Sequence, residues 1–277
     1  QAIGSSYVTS VSLEKPFTNG LYAKAAYSYG ITENTVDAGS IAFGSWNNNQ
    51  HSGNPNEPVL GLSANTMGHR VFTALSYSKD LFSFGNTSFG LFWEGRTIGN
   101  YSYVYGGDFN GDGGTSNDLI YIHKNKGEMK FVPFTSSGTT FTPEQQADAW
   151  EAFIKQDKYL SENRGSVAGR GGAFLPMVFR ADFNFTQQLF TNIGGKRNTL
   201  EFRADILNVG NLLNTAWGLG QFVTSTSPLV PAGVTSTGEP QFRLRNLGSQ
   251  LITQTFQPTV GVSDVWRAQF GLRYSFN

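Results

Sequence analysis

The stretch Asp108-Phe109-Asn110-Gly111-Asp112-Gly113-Gly114-Thr115-Ser116-Asn117-Asp118 holds the densest set of side chains able to do chemistry in this chain. Side-chain oxygens recur at alternate positions, Asp108, Asn110 and Asp112, and a carboxylate closes the run at Asp118. Hard cations such as Ca2+ take carboxylate and amide oxygens, with glycine where the chain must turn sharply. Calcium loops of the helix–loop–helix type read D-x-[DN]-x-[DN]-G, with a carboxylate at the twelfth position. Here the last carboxylate comes one residue early and is Asp, not Glu. Two readings stand. Either Asp108, Asn110, Asp112 and Asp118 hold a structural Ca2+, or the segment is an Asx-rich turn folded on its own side chains.

Other chemistry is thinly supplied. His51, His69 and His123 lie far apart, with no metal-binding His spacing. No G-x-S-x-G elbow presents a serine nucleophile. The absence of cysteine removes thiol chemistry and a disulfide scaffold. No two carboxylates can be paired for hydrolysis, so the expectation is a protein that is not an enzyme. A barrel-type protease would need a constellation assembled across one rim. A formal net charge of zero gives no electrostatic case for nucleic acid.

The elements that position these residues are strands. Only 14% of residues are charged, against roughly 25% in an average soluble domain. Aromatic residues are equally frequent, and Gly numbers 33. The last segment, Trp266–Asn277, places Trp266, Ala268, Phe270, Leu272, Tyr274 and Phe276 on one side and Arg267, Gln269, Gly271, Arg273 and Ser275 on the other. Such period-two alternation marks a strand between two unlike environments. The same pattern predicts strands at 7–17, 21–32, 69–79, 87–105, 177–189 and 199–209. No stretch approaches the ~20 apolar residues of a transmembrane helix. Strand-crossing membrane proteins escape hydropathy scans, because lipid-facing and lumen-facing residues cancel.

The connections alternate short, long, short, long, short, long. Outer-membrane barrels have short periplasmic turns and long extracellular loops. The expected fold is therefore all-β, a transmembrane antiparallel β-barrel with long extracellular loops and one short loop helix. That helix starts at the capping box Thr142-Pro143-Glu144-Gln145 and runs to about Leu160. Ala147, Trp150, Phe153 and Ile154 share one face, packed either on the loop itself or on a partner. The charges Glu14, Lys24, Glu94, Arg96, Arg180, Asp182, Glu201, Arg203, Asp205, Arg267 and Arg273 fall on the inward face, as a cross-strand ladder or a substrate path. Tyr27, Tyr29, Trp93, Trp266 and Tyr274 fit interfacial girdles. Seven strands are odd where single-chain barrels are even, so residues 1–277 read as the C-terminal part of a larger barrel. The chain opens at Gln1 with no Met and no basic-then-apolar leader, as a mature chain or a piece of a longer one does.

The segment YVYGGDFNGDGGTSNDLIYI (103–122) resembles part of the TonB-dependent outer-membrane receptors of the Oar-like type, common in Bacteroidetes. QDKYLSENRGSVAGRGG (156–172), DILNVGNLLNTAWG (205–218) and the ending LRYSFN are similar to further segments of that family, so the resemblance covers most of the chain from Tyr7 onward. The resemblance implies a 22-stranded barrel, of which these are the last seven strands, in the outer membrane of a Gram-negative bacterium. It implies outer-membrane lipid around the barrel and energy-coupled uptake of a bulky nutrient. The TonB-type complex would act through an N-terminal plug, which is absent here together with the upstream strands. A surface lipoprotein lid is a further partner the family allows. Two other classes remain open: a structural or secretion-associated barrel subunit of a larger outer-membrane assembly, and a soluble β-sheet glycan-binding module.

Overall fold

The computed structural model describes residues 3–83, 85–193 and 195–276. Phe84 and Gly194, expected in two of the turns, and Asn277, expected at the end of the last strand, lie outside them. Seven long strands form one antiparallel sheet in chain order: β1 (Gly4–Pro16), β2 (Leu21–Asn34), β3 (Gly68–Phe82), β4 (Gly85–Arg96), β5 (Val178–Ile193), β6 (Lys196–Leu207) and β7 (Arg267–Phe276). Gly61–Leu62 adds two residues against the end of β2. Among the described residues, no strand pairs with the outer edge of β1 or of β7.

Register keeps like with like. Phe202, Ala204 and Ile206 of β6 stand opposite Leu272, Phe270 and Ala268 of β7, while Glu201 stands opposite Arg273. A slip of one residue would exchange the two faces. Between β1 and β2 the register sets Glu14 opposite Lys24, and their side chains meet at 3.1 Å. The hairpin turn there uses Gly20 at φ 88°, where a Cβ would lie 2.1 Å from the Ser78 carbonyl oxygen of β3. Glycine is the residue that fits such a left-handed, close-packed position.

Both edge strands are exposed at every position. The apolar face stays uncovered further in: Tyr27, Leu75, Leu91, Trp93 and Phe179 are all exposed. The buried apolar core lies elsewhere. Its members fall between Tyr103 and Ala173 and between Leu229 and Ile252, and none belongs to the seven strands. Among the described residues Val178 is the one apolar side chain of the seven strands that is buried, and the long connections bury a core of their own.

Two expectations need correction. β4 ends at Arg96 instead of reaching about Tyr105. Gly99, at φ 151°, turns the chain, and Asn100–Tyr101 pair with Ala173–Phe174. The alternating Tyr101, Tyr103 and Tyr105 serve the loop core, not the sheet. The loops also hold more than one helix: α1 (Ala42–Asn47), α2 (Pro143–Gln156), α3 (Lys158–Glu162) and α4 (Val209–Leu213). α2 starts as expected, with Thr142 Oγ1 accepting from Gln145 N at 3.2 Å and Gln145 Oε1 accepting from Thr142 N at 2.9 Å. Extended backbone at Asp157 stops it and caps α3. Among the described residues no helix is long and apolar enough to cross a membrane.

Candidate functional site

In an antiparallel meander, successive connections leave from opposite ends of the sheet. The turns after β1, β3 and β5 are short and share one end. The connections 35–67, 97–177 and 208–266 are long and share the other. There they fold into a dome. Trp150 and Phe153 of α2 stack at its centre, 5.8 Å between ring centroids, both almost fully buried. Gln146, on the same helix and fully buried, donates to the Val132 carbonyl at 2.8 Å and accepts from Leu244 N at 3.0 Å. Buried Asp157 accepts from Tyr103 Oη at 2.6 Å, Thr255 Oγ1 at 2.7 Å and Leu160 N at 2.8 Å. Segments 98 residues apart are thus joined by side chains whose polar groups pair inside.

The acidic loop packs on this dome, and its oxygens are mostly spent on its own backbone. Asp108 accepts from the N–H groups of Gly111, Asp112 and Gly113. Asn110 Oδ1 accepts from Asp112 N at 2.9 Å. Asp118 Oδ2 accepts from Phe109 N at 2.8 Å. The Asn110 contact is an Asx turn, Asp108 gathers N–H groups three to five residues on, and Asp118 reaches back nine residues. Of the four residues proposed to share a cation, Asp112 and Asp118 converge, and the residue that joins them is His51, from the connection after β2. Its Nε2 lies 3.0 Å from Asp112 Oδ2. Gly53 N lies 3.2 Å from its Nδ1, and Asn117 Nδ2 lies 3.1 Å from the same Nε2, so the ring is held on both sides. His51 thus pins the loop to the connection after β2, and its ring with the carboxylates of Asp112 and Asp118 forms a group close enough to share a cation. The two carboxylates are driven apart. Backbone N–H donation from Gly114, with Asn110, Asn117 and His51, holds Asp112 below the usual range. Burial, with the charge of Asp112, raises Asp118.

The pin makes a prediction. His51→Ala frees Asp112, so amide hydrogen exchange across 109–119 accelerates, while treatment of the unaltered protein with EDTA leaves it unchanged. Acceleration by EDTA equal to that in the variant would instead assign the loop to a bound cation.

Arg170 is the second tie between connections. It is buried, donates to the Asn34 carbonyl, to Asn34 Oδ1 and to the Gly61 carbonyl, and pairs with Asp37 at 3.4 Å. A cavity of about 310 Å3 opens beside it, lined by Asp37, Ser45, Asn48, Asn49 and Gln50. Sequence reasoning singled out neither His51 nor Arg170 for these roles. For His51 no local signal exists, since its partner is 61 residues away. For Arg170 the flanking glycines in Gly169-Arg170-Gly171-Gly172 were a sign of close backbone approach.

The remaining histidines are also engaged structurally. His69 Nδ1 lies 2.7 Å from Tyr27 Oη. His123 is buried against Tyr121 and Phe242, and burial pushes its pKa down to about 4. Its imidazole is therefore neutral in the folded dome at pH values where an unfolded chain, with His near 6.5, takes up a proton. Stability of the dome is full above about pH 6.5 and falls as the pH drops toward 4, by on the order of 3 kcal/mol. Denaturation midpoints of wild type and His123→Leu, compared from pH 7 to 4, read this out. The variant loses the His-dependent part of the slope, and identical slopes would remove His123 as its cause.

Among the described residues no serine or threonine hydroxyl hydrogen-bonds a histidine ring; the Thr97 hydroxyl that meets His69 accepts from its backbone N–H. No protein-family model matches the chain, and no curated protein or solved structure aligns with it significantly. What the geometry offers is a sheet of paired strands topped at one end by a dome of folded connections with its own core.

Proposed function

We propose that this chain is the C-terminal wall and outer loops of an outer-membrane transporter barrel of the TonB-dependent type. The observation that carries this reading is the uncovered apolar face of the seven-strand sheet. A water-soluble sheet of this size buries one face against a second layer, and here the apolar core is assembled entirely in the connections. Lipid is the environment in which an aromatic-rich sheet face needs no protein cover. The charged face carries paired residues: Glu94 with Arg70 at 2.7 Å, Arg203 with Asp205 at 2.7 Å, and Arg180 with Asp264 at 3.0 Å. It is the lumen side of the proposed wall. The free edges of β1 and β7 would be closed by further strands, because an open edge is not tolerated in hydrocarbon, and the family resemblance puts their total at 22.

In this reading the chain carries out no bond chemistry. The dome captures a bulky nutrient from outside, and a plug supplied by another part of the protein is moved by the energy-coupling complex. The Asn-, Ser- and Gly-rich cavity beside Arg170 suits a polar, hydroxyl-bearing cargo.

The test is fractionation with intact-mass measurement. The native protein is expected in the outer-membrane fraction, to need detergent for extraction, and to have a mass several times that of these 277 residues. A freely soluble monomer of these residues alone would refute the reading.

A further inference from the structure

The charged face of the sheet sets like charges against each other at the end that carries the long connections. Arg96 closes β4. The register puts it directly opposite Arg70 of β3 and diagonal to Arg180 of β5. Like charges directly opposite destabilise a sheet, and the first two arginines share one carboxylate. Glu94 Oε1 accepts from Arg70 Nε at 2.7 Å, whereas Glu94 Oε2 lies 3.8 Å from Arg96 Nε, beyond hydrogen-bond reach. Arg180 is the register partner of Glu94 but turns away from it. Its Nε donates to the Gly218 carbonyl at 2.9 Å and its Nη2 to Asp264 Oδ1 at 3.0 Å.

Between these strands and the connection 208–266 lies a cavity of about 220 Å3, lined by Glu94, Arg96, Arg180, Thr259, Ser263 and Asp264 among others. It is smaller than sites that enclose a whole small molecule, so it suits one group of a larger one. Its carboxylates are already engaged. Asp264 accepts from Arg180 and Gly220 N on Oδ1 and from Gly261 N on Oδ2, and Glu94 is shared by two guanidinium groups. What remains is donors. Among the described residues Arg96, Arg180 Nη1 and the Ser263 hydroxyl make no hydrogen bond. The charges agree: Arg70, Arg96 and Arg180 stand against Glu94 and Asp264, which leaves one positive charge in excess. Asp182, two residues further along β5, does not line the cavity.

We propose that this cavity is an oxyanion site, in which Arg96, Arg180 Nη1 and the Ser263 hydroxyl hold a carboxylate group of the cargo. The proposal rests on the transporter reading, which turns this face toward the lumen, and it narrows the cargo from a hydroxyl-bearing molecule to a hydroxylated acid. A guanidinium fork matches the two oxygens of a carboxylate. One negative charge balances the one positive charge in excess, where a doubly charged phosphate would overshoot it.

The experiment is phenylglyoxal modification of the full detergent-purified protein, followed by peptide mass mapping of Arg96. The reagent condenses with accessible guanidinium groups, so a bound carboxylate shields its arginine. The probes are methyl glucuronoside, methyl glucoside, which has a neutral hydroxymethyl group in place of the carboxylate, and inorganic phosphate. Methyl glucuronoside is expected to slow modification of Arg96 about tenfold, the size of one hydrogen bond to a charged group. It is expected to leave Arg273, near the inner end of the same face, unchanged, and methyl glucoside to shield neither. Ser263→Glu, at an exposed position on the cavity wall, is expected to abolish the shielding. No shielding by methyl glucuronoside, equal shielding of Arg96 and Arg273, or shielding that persists in Ser263→Glu would overturn the proposal while the transporter reading stands. Shielding by phosphate at lower concentration than by methyl glucuronoside would make this a site for free inorganic anions and would overturn it as well. A protein that stays soluble and monodisperse without detergent would refute the transporter reading, and with it the assignment of the carboxylate to a cargo, whatever the shielding.

Discussion

If the apolar face meets lipid, as proposed, Leu75→Arg is expected to prevent assembly in the membrane, whereas Ser76→Arg, one residue along, is expected to leave assembly intact. The two positions are consecutive, both exposed, and at the middle of β3, but they point to opposite faces. Leu75 lies in an apolar row with Ala23, Leu91 and Phe183. Ser76 lies opposite Tyr22 and Gly90 on the charged face. An arginine on the lipid side of a barrel at mid-depth costs about 2–4 kcal/mol, and one facing the lumen costs little. If the sheet were in water, both variants would be surface substitutions, with effects within about 0.5 kcal/mol. The difference between two adjacent residues therefore reports the solvent of the apolar face directly. It is read as the heat-resistant, folded fraction recovered from the membrane. Equal behaviour of the two variants removes lipid as the explanation of the uncovered face.

The strands were legible because their signal is local. Each carries five or six alternating pairs, as from Trp266 to Phe276, and a period of two needs no knowledge of the partner strand. The same rule misled at residues 97–105. Tyr101, Tyr103 and Tyr105 alternate as a strand would, but Gly99 had already turned the chain out of the sheet. Their alternation reflects packing against α3 and the loop core: Tyr103 stacks on Tyr159 at 6.2 Å, and Tyr105 on Phe242 at 5.5 Å. The helix start was legible in full, since a capping box is written within four residues. The dome itself was not. Its core draws single apolar residues such as Phe131, Trp150, Leu229 and Phe242 out of segments that are mostly polar, and no window of sequence shows that these meet. The acidic loop was recognised by its spacing. What ties it down, His51, comes from another connection: all four residues first grouped as ligands accept backbone N–H groups within the loop, and Asp112 also meets the histidine.

The second large effect follows from where that core sits. Trp150→Ala is expected to unfold the dome and spare the sheet. Trp150 is 1% exposed and stacks on Phe153, and truncating a buried aromatic residue to alanine costs about 3–5 kcal/mol. None of the core residues belongs to a strand of the wall, so the loss is confined to the connections 97–177 and 208–266. Hydrogen exchange should rise in those connections and stay slow in β2 to β6. Trp150→Phe separates packing from hydrogen bonding. The indole Nε1 has no partner in the core, so replacing it by a ring without N–H gives up volume but no hydrogen bond, and the cost should be well under that of alanine. If the dome captures the cargo and the strands only enclose it, Trp150→Ala yields a membrane-inserted protein that no longer takes up its nutrient. A variant that instead fails to insert would mean that the dome nucleates the wall, and that the strands depend on their loops for assembly as well as for recognition.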